Sequence, residues 1–168
     1  LSSRFGHQMS LLAGIEQSID SDAIIMMDSD LQHPPELIPA MLGHFRNGAD
    51  VVYTVRSDTE DVGVIRKMAG NLFYSILNKI SDVAINPNAA DFRLISRRVA
   101  VILSEGFNER NMFLRGLFSW IGFKQIGIEF FAEKRAGGVS KYSLSRMVRL
   151  ALSGVLSFST KPLHIGLF

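Results

Sequence analysis

The stretch that decides the fold is Ala23-Ile-Ile-Met-Met-Asp-Ser-Asp-Leu-Gln-His-Pro-Pro-Glu-Leu-Ile38. Its first five residues form a short apolar run, which is typical of a buried parallel strand. Asp28 follows at once, so acidic side chains lie at the carboxyl end of the strand, where open α/β sheets place their ligands. Pro34 and Pro35 then suit the first turn of a helix. The stretch predicts a strand, an acidic loop and a helix in that order.

The rest of the chain continues this alternation. After Asn47-Gly48, which predicts the end of the helix, a second apolar segment predicts another strand, and the strand, helix, strand order predicts a βαβ unit with a right-handed crossover. Further helices and strands follow from apolar periodicity. The predicted strands are 50–55, 91–95 and 124–132, and the predicted helices are 65–80, 96–103 and 109–120. The sequence therefore predicts an α/β fold with a mostly parallel central sheet flanked by helices.

Composition narrows the functional classes. The chain has 168 residues, of which 47% are hydrophobic and 20% charged, so it can bury the core of one domain. A net charge of +2 lacks the basic excess that nucleic-acid binding requires, and no nucleic acid is expected as a partner. The absence of cysteine excludes a disulfide framework, a thiolate zinc site and a cysteine nucleophile. Any metal must be bound by oxygen or imidazole ligands.

The acidic loop after the first strand reads Asp28-Ser-Asp30-Leu-Gln32. Two carboxylates and an amide at alternate positions can converge on one hard divalent cation, Mg²⁺ or Mn²⁺. Magnesium is usually bound by one or two protein carboxylates together with substrate phosphates, so the implied ligand is a diphosphate. The alternative is that Asp28 and Asp30 cap the following helix, a common use of aspartate. The residues alone leave both interpretations open.

Several motifs occur in a fixed order along the chain. They are Met27-Asp-Ser-Asp-Leu-Gln-His-Pro-Pro-Glu-Leu-Ile38, Asp50-Val-Val-Tyr-Thr-Val-Arg56, Asn88-Ala-Ala-Asp-Phe-Arg-Leu94, Phe113-Leu-Arg-Gly-Leu-Phe-Ser-Trp120 and Gly138-Val-Ser-Lys-Tyr142. In this order they resemble the family 2 glycosyltransferases of the polyprenyl-phosphate branch. The resemblance is closest to bactoprenol glucosyltransferases, with dolichyl-phosphate mannose synthases as more distant relatives.

This resemblance implies a GT-A-like nucleotide-sugar fold and an inverting hexosyltransferase. The expected reaction moves a hexose, glucose by resemblance, from a nucleotide-sugar such as UDP-glucose to a polyprenyl phosphate such as undecaprenyl phosphate. The expected place is the cytoplasmic face of a membrane, the inner membrane of a bacterium. If the chain is an enzyme, the alternative is transfer to a protein or glycan acceptor. If it is not an enzyme, the alternative is an inactive fragment that binds the membrane surface. The sequence leaves the oligomeric state open, including a homo-oligomer.

The resemblance also assigns the phosphate ligands. It implies that Asp28, Asp30 and Gln32 hold the metal ion, Mg²⁺ or Mn²⁺, and the donor diphosphate. It implies that Arg56 and Arg66 bind the acceptor phosphate, a task that suits the planar, permanently charged guanidinium. Without the resemblance, Arg56 reads as a solvated strand end and Arg66 as part of a polar helix face.

Asp91 is the acidic residue that, by resemblance, faces the reaction centre as the catalytic carboxylate. A phosphate monoester has a second pKa of about 6 and is largely ionised at neutral pH, so it hardly needs a general base. We therefore expect Asp91 to orient the sugar or the acceptor. The alternative is that Asp91 caps a turn or pairs with Arg93.

The predicted domain division separates a partial GT-A catalytic domain, residues 1–138, from residues 139–168. The latter are expected to form an amphipathic juxtamembrane helix and the start of a truncated membrane segment. Arg135, Ser140 and Lys141 lie on either side of Gly137-Gly138, so we expect closure of this glycine loop to bring them onto the donor diphosphate. Alternatively, these residues form a juxtamembrane basic patch that attracts anionic lipid.

Three further expectations concern the N-terminus, Trp120 and the histidines. Arg4-Phe-Gly-His-Gln8 resembles the start of a later helix of the family, so we expect the chain to be N-terminally truncated and to lack the strand and acidic loop that hold the nucleoside base. Trp120 and its apolar neighbours are interpreted as core. No role is assigned to the histidines, which lack metal-ligand spacing: His7, His33, His44 and His164.

Overall fold

The computed structural model describes residues 6–57, 75, 86, 88–106 and 114–131. The strands are β1 (Ala23–Met26), β2 (Val51–Arg56), β3 (Ala89–Ser96) and β4 (Gln125–Phe130). The helices are α1 (His7–Gln17), α2 (Ile38–Arg46), α3 (Arg97–Glu105) and α4 (Leu114–Trp120), and a 3-10 turn at Pro35–Leu37 precedes α2. The predicted strands at 23–27, 50–55, 91–95 and 124–132 are therefore confirmed to within a few residues. Of the helix predicted over 65–80, the structure describes residue 75 alone, and that residue is helical.

The four strands form one sheet in the order β1-β3-β2-β4. β3 is antiparallel to both β1 and β2, whereas β2 and β4 are parallel. The α/β class is confirmed, and three of the four described strands, β1, β2 and β4, run in the same direction; the sequence did not predict that β3 runs against them and makes the sheet mixed. The physical reason is that a strand covered on both faces has a continuous apolar sequence whichever way its neighbours run. β1 and β2 do run in the same direction, with α2 between them in sequence, but β3 is inserted between them.

The centre of the sheet is buried on both faces. Every residue of β3 from Phe92 to Ser96 is buried, and successive strand residues point to opposite faces. On one face, a core cluster joins α2 to the sheet. Its buried members are Met41, Ala49, Val52, Phe92 and Leu94. This packing fixes β3, and with it Asp91, against the rest of the sheet.

Helix α3 begins where β3 ends. The Ser96 hydroxyl accepts a hydrogen bond from the Val99 amide at 3.4 Å, which confirms the predicted cap. The Ser96 hydroxyl also donates to Asp50 Oδ1 at 3.1 Å, and Arg98 Nη2 donates to the same oxygen at 2.6 Å. A structural polar cluster thus holds the amino end of β2 to the start of α3.

The chain divides into two compact units. The first comprises Leu1–Asp58, Asn88–Arg110 and Phe123–Gly138, and it contains the whole described sheet. The second comprises Thr59–Pro87, Asn111–Gly122 and Val139–Phe168, and α4 belongs to it. The functional division at residues 138 and 139 stays a prediction.

Trp120 corrects one expectation. Leu114, Leu117 and Phe118 of α4 are buried, but the Trp120 side chain is 57% exposed, so its assignment to the core is wrong. Trp120 is the last residue of α4, so its side chain lies at the end of the helix and not along its buried length. Within the described ranges, no helix has the length and hydrophobicity needed to cross a bilayer.

Candidate functional site

Two carboxylates from separate motifs converge at the carboxyl end of β1. The antiparallel register pairs Met26, the last residue of β1, with Arg93 of β3, and Asp28 and Asp91 each lie two residues from this pair along their segments. His7 Nε2 at the start of α1 lies 3.9 Å from Asp28 Oδ1 and 3.5 Å from Asp91 Oδ2. The pairing of β1 with β3 therefore brings together the first predicted metal ligand and the predicted catalytic carboxylate.

The two carboxylates differ in their surroundings. The Asp91 side chain is 14% exposed and that of Asp28 is 39% exposed. Arg93 Nη2 lies 3.8 Å from Asp91 Oδ1 and also donates to the carbonyl of Ala90 at 2.9 Å. The pairing of Asp91 with Arg93, considered from the sequence as an alternative, is thus present. It orients Asp91 without preventing that carboxylate from facing Asp28 and His7.

The loop after β1 holds the other two predicted metal ligands. Asp30 Oδ1 accepts a hydrogen bond from the Gln32 amide at 3.2 Å, an arrangement typical of an Asx turn. Leu31, between them, has a φ of 60°, in the left-handed region. No side chain caps the 3-10 turn or α2, whose N-cap residues are Pro34 and Leu37, so the helix-capping alternative for Asp28 and Asp30 is wrong.

The donor atoms in this loop are of the type that Mg²⁺ and Mn²⁺ prefer. Among the residues that the structure describes, no group of three or more His, Cys, Asp or Glu is arranged to hold a metal ion. A magnesium ion that binds together with a diphosphate requires only one or two protein carboxylates. Asp28 and Asp30 provide carboxylate oxygens in one short loop, and this donor set fits such an ion. The assignment of Asp28, Asp30 and Gln32 stays a prediction.

Sequence reasoning missed two histidines of the site. His7 is separated from Asp28 by most of α1 and by β1, so only tertiary packing brings them together. His33 Nδ1 accepts a hydrogen bond from the Asp28 amide at 3.3 Å. The only sequence signal for His33 was its place at the end of the acidic loop.

Arg56 is the last residue of β2, at the same end of the sheet as Asp28. It pairs with Phe130 in the parallel register, and its amide donates to the carbonyl of Asn88 at 3.0 Å. This position agrees with the predicted acceptor-phosphate role without testing it. The remaining predicted phosphate ligands lie outside the described residues: Arg66, Arg135, Ser140 and Lys141.

Comparison with known proteins adds a family match. The model of the family described as "Glycosyl transferase family 2" matches residues 1–102, a segment that contains Asp28, Asp30, Gln32, Arg56 and Asp91. An uncharacterized glycosyltransferase of Bacillus subtilis, YkcC, is 38% identical over 165 residues, which cover 98% of this chain and 50% of the relative.

Two further relatives have more specific names. The bactoprenol glucosyl transferase of Shigella phage SfX is 39% identical over 168 residues, which cover 98% of this chain and 54% of the relative. A prophage bactoprenol glucosyl transferase homolog of Escherichia coli is 40% identical over 161 residues, which cover 96% and 52%. The chain therefore spans about half the length of the curated relatives it matches.

Proposed function

The chain belongs to glycosyl transferase family 2, and from this membership we propose that it supplies catalytic residues to an inverting hexosyltransferase with a polyprenyl phosphate acceptor. The donor is a nucleotide-sugar, UDP-glucose, and the acceptor is undecaprenyl phosphate. Relatives named as bactoprenol glucosyl transferases, 39% and 40% identical over nearly the whole chain, support the sugar and the acceptor class.

The convergence of Asp28 and Asp91 on His7 Nε2, at 3.9 Å and 3.5 Å, is the observation that carries the proposal. It brings two motifs of the family together at the carboxyl end of β1, and α/β folds bind ligands at the carboxyl ends of their strands. Two carboxylates repel a diphosphate, so a donor that binds beside them needs a compensating cation. When bound there, Mg²⁺ or Mn²⁺ neutralises the charge that develops on the departing diphosphate.

The chain's own residues then have separate tasks. Asp28, Asp30 and Gln32 provide oxygen ligands for the cation and so fix the donor diphosphate at the end of β1. Asp91, held by Arg93 at 3.8 Å, orients the sugar or the incoming phosphate. It is not needed as a base, because the acceptor phosphate is already largely ionised near pH 7.

In the proposed reaction, an oxygen of the lipid phosphate attacks the anomeric carbon in line with the leaving group. A bond forms between that oxygen and the anomeric carbon, while the bond from the same carbon to the nucleoside diphosphate breaks. The configuration at the anomeric carbon is inverted. The products are polyprenyl phosphate hexose and UDP, and no proton needs to be removed from the nucleophile.

The proposal also assigns residues to the two substrate phosphates and to the membrane surface. Arg56 and Arg66 bind the acceptor phosphate, and Arg135, Ser140 and Lys141 meet the donor diphosphate. Residues 1–138 provide the catalytic part, and residues 139–168 bind the membrane surface at its cytoplasmic face, where a lipid phosphate and a water-soluble donor are both available.

The test is a transfer assay on the full-length protein with radiolabelled UDP-glucose. Undecaprenyl phosphate in mixed micelles is compared with free glycans and with peptides as acceptors. We expect transfer to the lipid phosphate alone, lost on chelation, with an inverted anomeric configuration in the product. Transfer to a glycan or a peptide would show that the proposed lipid phosphate acceptor is wrong. Binding to liposomes without binding of nucleotide-sugar would identify an inactive membrane-surface module instead.

The variant Arg56→Ala separates the acceptor site from the donor site. We expect it to raise the KM for undecaprenyl phosphate and to leave the KM for UDP-glucose unchanged, because of the two substrates the lost guanidinium would contact the lipid phosphate and not the donor. Arg46→Ala, in the last turn of α2, removes an arginine remote from β2's carboxyl end and is the matched control.

A further inference from the structure

We propose that His33 is a positioning residue that fixes the acidic loop by accepting a hydrogen bond from the backbone of Asp28. The inference rests on the proposed function, because the position of the loop matters only if Asp28 and Asp30 meet the donor diphosphate. The hydrogen bond joins the Asp28 amide to His33 Nδ1 at 3.3 Å and thereby closes residues 28–33 into a ring.

The imidazole must be in one tautomer to make this bond. Since Nδ1 accepts, it carries no proton, and the ring proton of the neutral form is on Nε2. The structure therefore assigns the Nε2–H tautomer to His33. The loop therefore needs a hydrogen-bond acceptor at the Nδ1 position of residue 33.

Two aromatic rings hold the imidazole in place. Its centroid lies 5.3 Å from that of Phe92, with the planes 25° apart, and 5.9 Å from that of Phe130, with the planes 67° apart. Phe92 and Phe130 are 0% and 4% exposed, so both are fixed parts of the core. Phe92 adjoins Asp91 along β3, and Phe130 pairs with Arg56 across β2 and β4. His33 thus contacts β3, the strand that carries Asp91, and β4, which pairs with the strand that carries Arg56.

The loop needs such an anchor. Leu31 has a φ of 60° and is 73% exposed, so a residue with a Cβ adopts the left-handed conformation without burying its side chain. Conformations of this kind persist when the surrounding structure determines them. The Asx turn at Asp30 and the bond to His33 are two of the contacts that hold the loop in this form. Loss of the acceptor would let the loop relax and displace Asp28 and Asp30 together.

Two substitutions separate the acceptor from the ring. His33→Asn keeps an acceptor, because its Oδ1 lies as many bonds from Cβ as Nδ1 does, but it loses the aromatic packing. His33→Phe keeps a ring against Phe92 and Phe130 and loses the acceptor. A merely structural role predicts that Phe is the better replacement, whereas the positioning role predicts that Asn is. His44→Phe, in α2, is the matched control for a histidine that contacts none of these groups among the described residues.

The experiment measures the affinity of the full-length protein for UDP in the presence of Mn²⁺ by calorimetry, with thermal unfolding followed in parallel. We expect His33→Phe to weaken UDP binding by about tenfold and His33→Asn to remain within about threefold of the wild type, because only the former leaves the Asp28 amide without its partner. His44→Phe should bind UDP like the wild type.

Each other result overturns the inference in a distinguishable way. Wild-type affinity in His33→Phe, or equal losses in both variants, rejects the positioning role and leaves the proposed function standing. Failure of the wild type itself to bind UDP rejects the proposed function and this inference with it. If the variants do not fold, the ¹⁵N chemical shifts of the wild-type His33 ring decide: the Nε2–H tautomer is expected, and the Nδ1–H tautomer contradicts the bond to Asp28.

Discussion

The substitution Asp91→Asn tests how a partly buried carboxylate serves the proposed transfer. It preserves the shape of the side chain and removes its charge. The carboxylate lies 3.8 Å from Arg93 Nη2, and the Arg93 side chain is only 5% exposed. At this separation, two unit charges attract by about 4 kcal/mol at an effective dielectric constant near 20, most of which desolvation offsets. Arg93 keeps its bond to Ala90, so we expect the free energy of unfolding to fall by about 1–2 kcal/mol.

The effect on catalysis should be larger than the effect on stability. If Asp91 orients the sugar or the acceptor, loss of its charge should lower kcat by about 100-fold, the scale of a misplacement near 1 Å. The affinity for UDP with Mn²⁺ should stay within about threefold, because Asp28, Asp30 and Gln32 are retained. The assay is transfer of radiolabelled glucose to undecaprenyl phosphate at saturating substrates, together with urea denaturation.

Asp50→Asn is the matched control. Asp50 also accepts hydrogen bonds from an arginine, Arg98, but its partner Ser96 is five residues from Asp91 along β3, or about 16 Å. We expect this variant to lose a similar free energy of unfolding and to keep its kcat. A kcat within about threefold of the wild type in Asp91→Asn would refute the orienting role. Equal losses of kcat in both variants would show that the effect acts through stability.

Three further predictions address the loop and the core. Asp28→Asn should weaken UDP binding with Mn²⁺ by about tenfold or more in calorimetry, because the cation loses a charged ligand. The control Asp20→Asn should show no loss of UDP binding, because the Asp20 side chain is 99% exposed. Met41→Ala should lower the free energy of unfolding by about 2–5 kcal/mol in urea denaturation, because Met41 is 0% exposed in the core beneath β3. Leu31→Gly should change the free energy of unfolding by less than about 1 kcal/mol, because relief of the left-handed conformation offsets the greater entropy of the unfolded glycine; a larger loss would contradict the conformation of Leu31.

The sequence was most informative where local chemistry decides the structure. The apolar run before Asp28 predicted β1, Asn47-Gly48 predicted the end of α2, where Gly48 has a φ of 84°, and Ser96 predicted the cap of α3. These features depend on neighbouring residues alone. The resemblance added Asp91, which shares the neighbour His7 with Asp28 in the structure.

The features that the sequence did not predict depend on contacts between distant segments. The antiparallel insertion of β3 between β1 and β2 follows from the path of the chain, which a buried strand's apolar pattern does not encode. His7 approaches Asp28 and Asp91 only in the folded protein, and the ring of His33 gains Phe92 and Phe130 only when the loop packs against β3 and β4. A single histidine carries no periodic signal from which such contacts could be inferred.

The central claim is that Asp28, Asp30 and Gln32 form a metal-dependent diphosphate site beside Asp91. Calorimetric titration of the full-length protein with UDP and UDP-glucose, first with Mn²⁺ and then with a chelator, tests it most directly. We expect UDP and UDP-glucose to bind saturably in the presence of Mn²⁺, and we expect the chelator to abolish this binding. Absence of binding by the folded protein, or binding of equal affinity in the chelator, would contradict it.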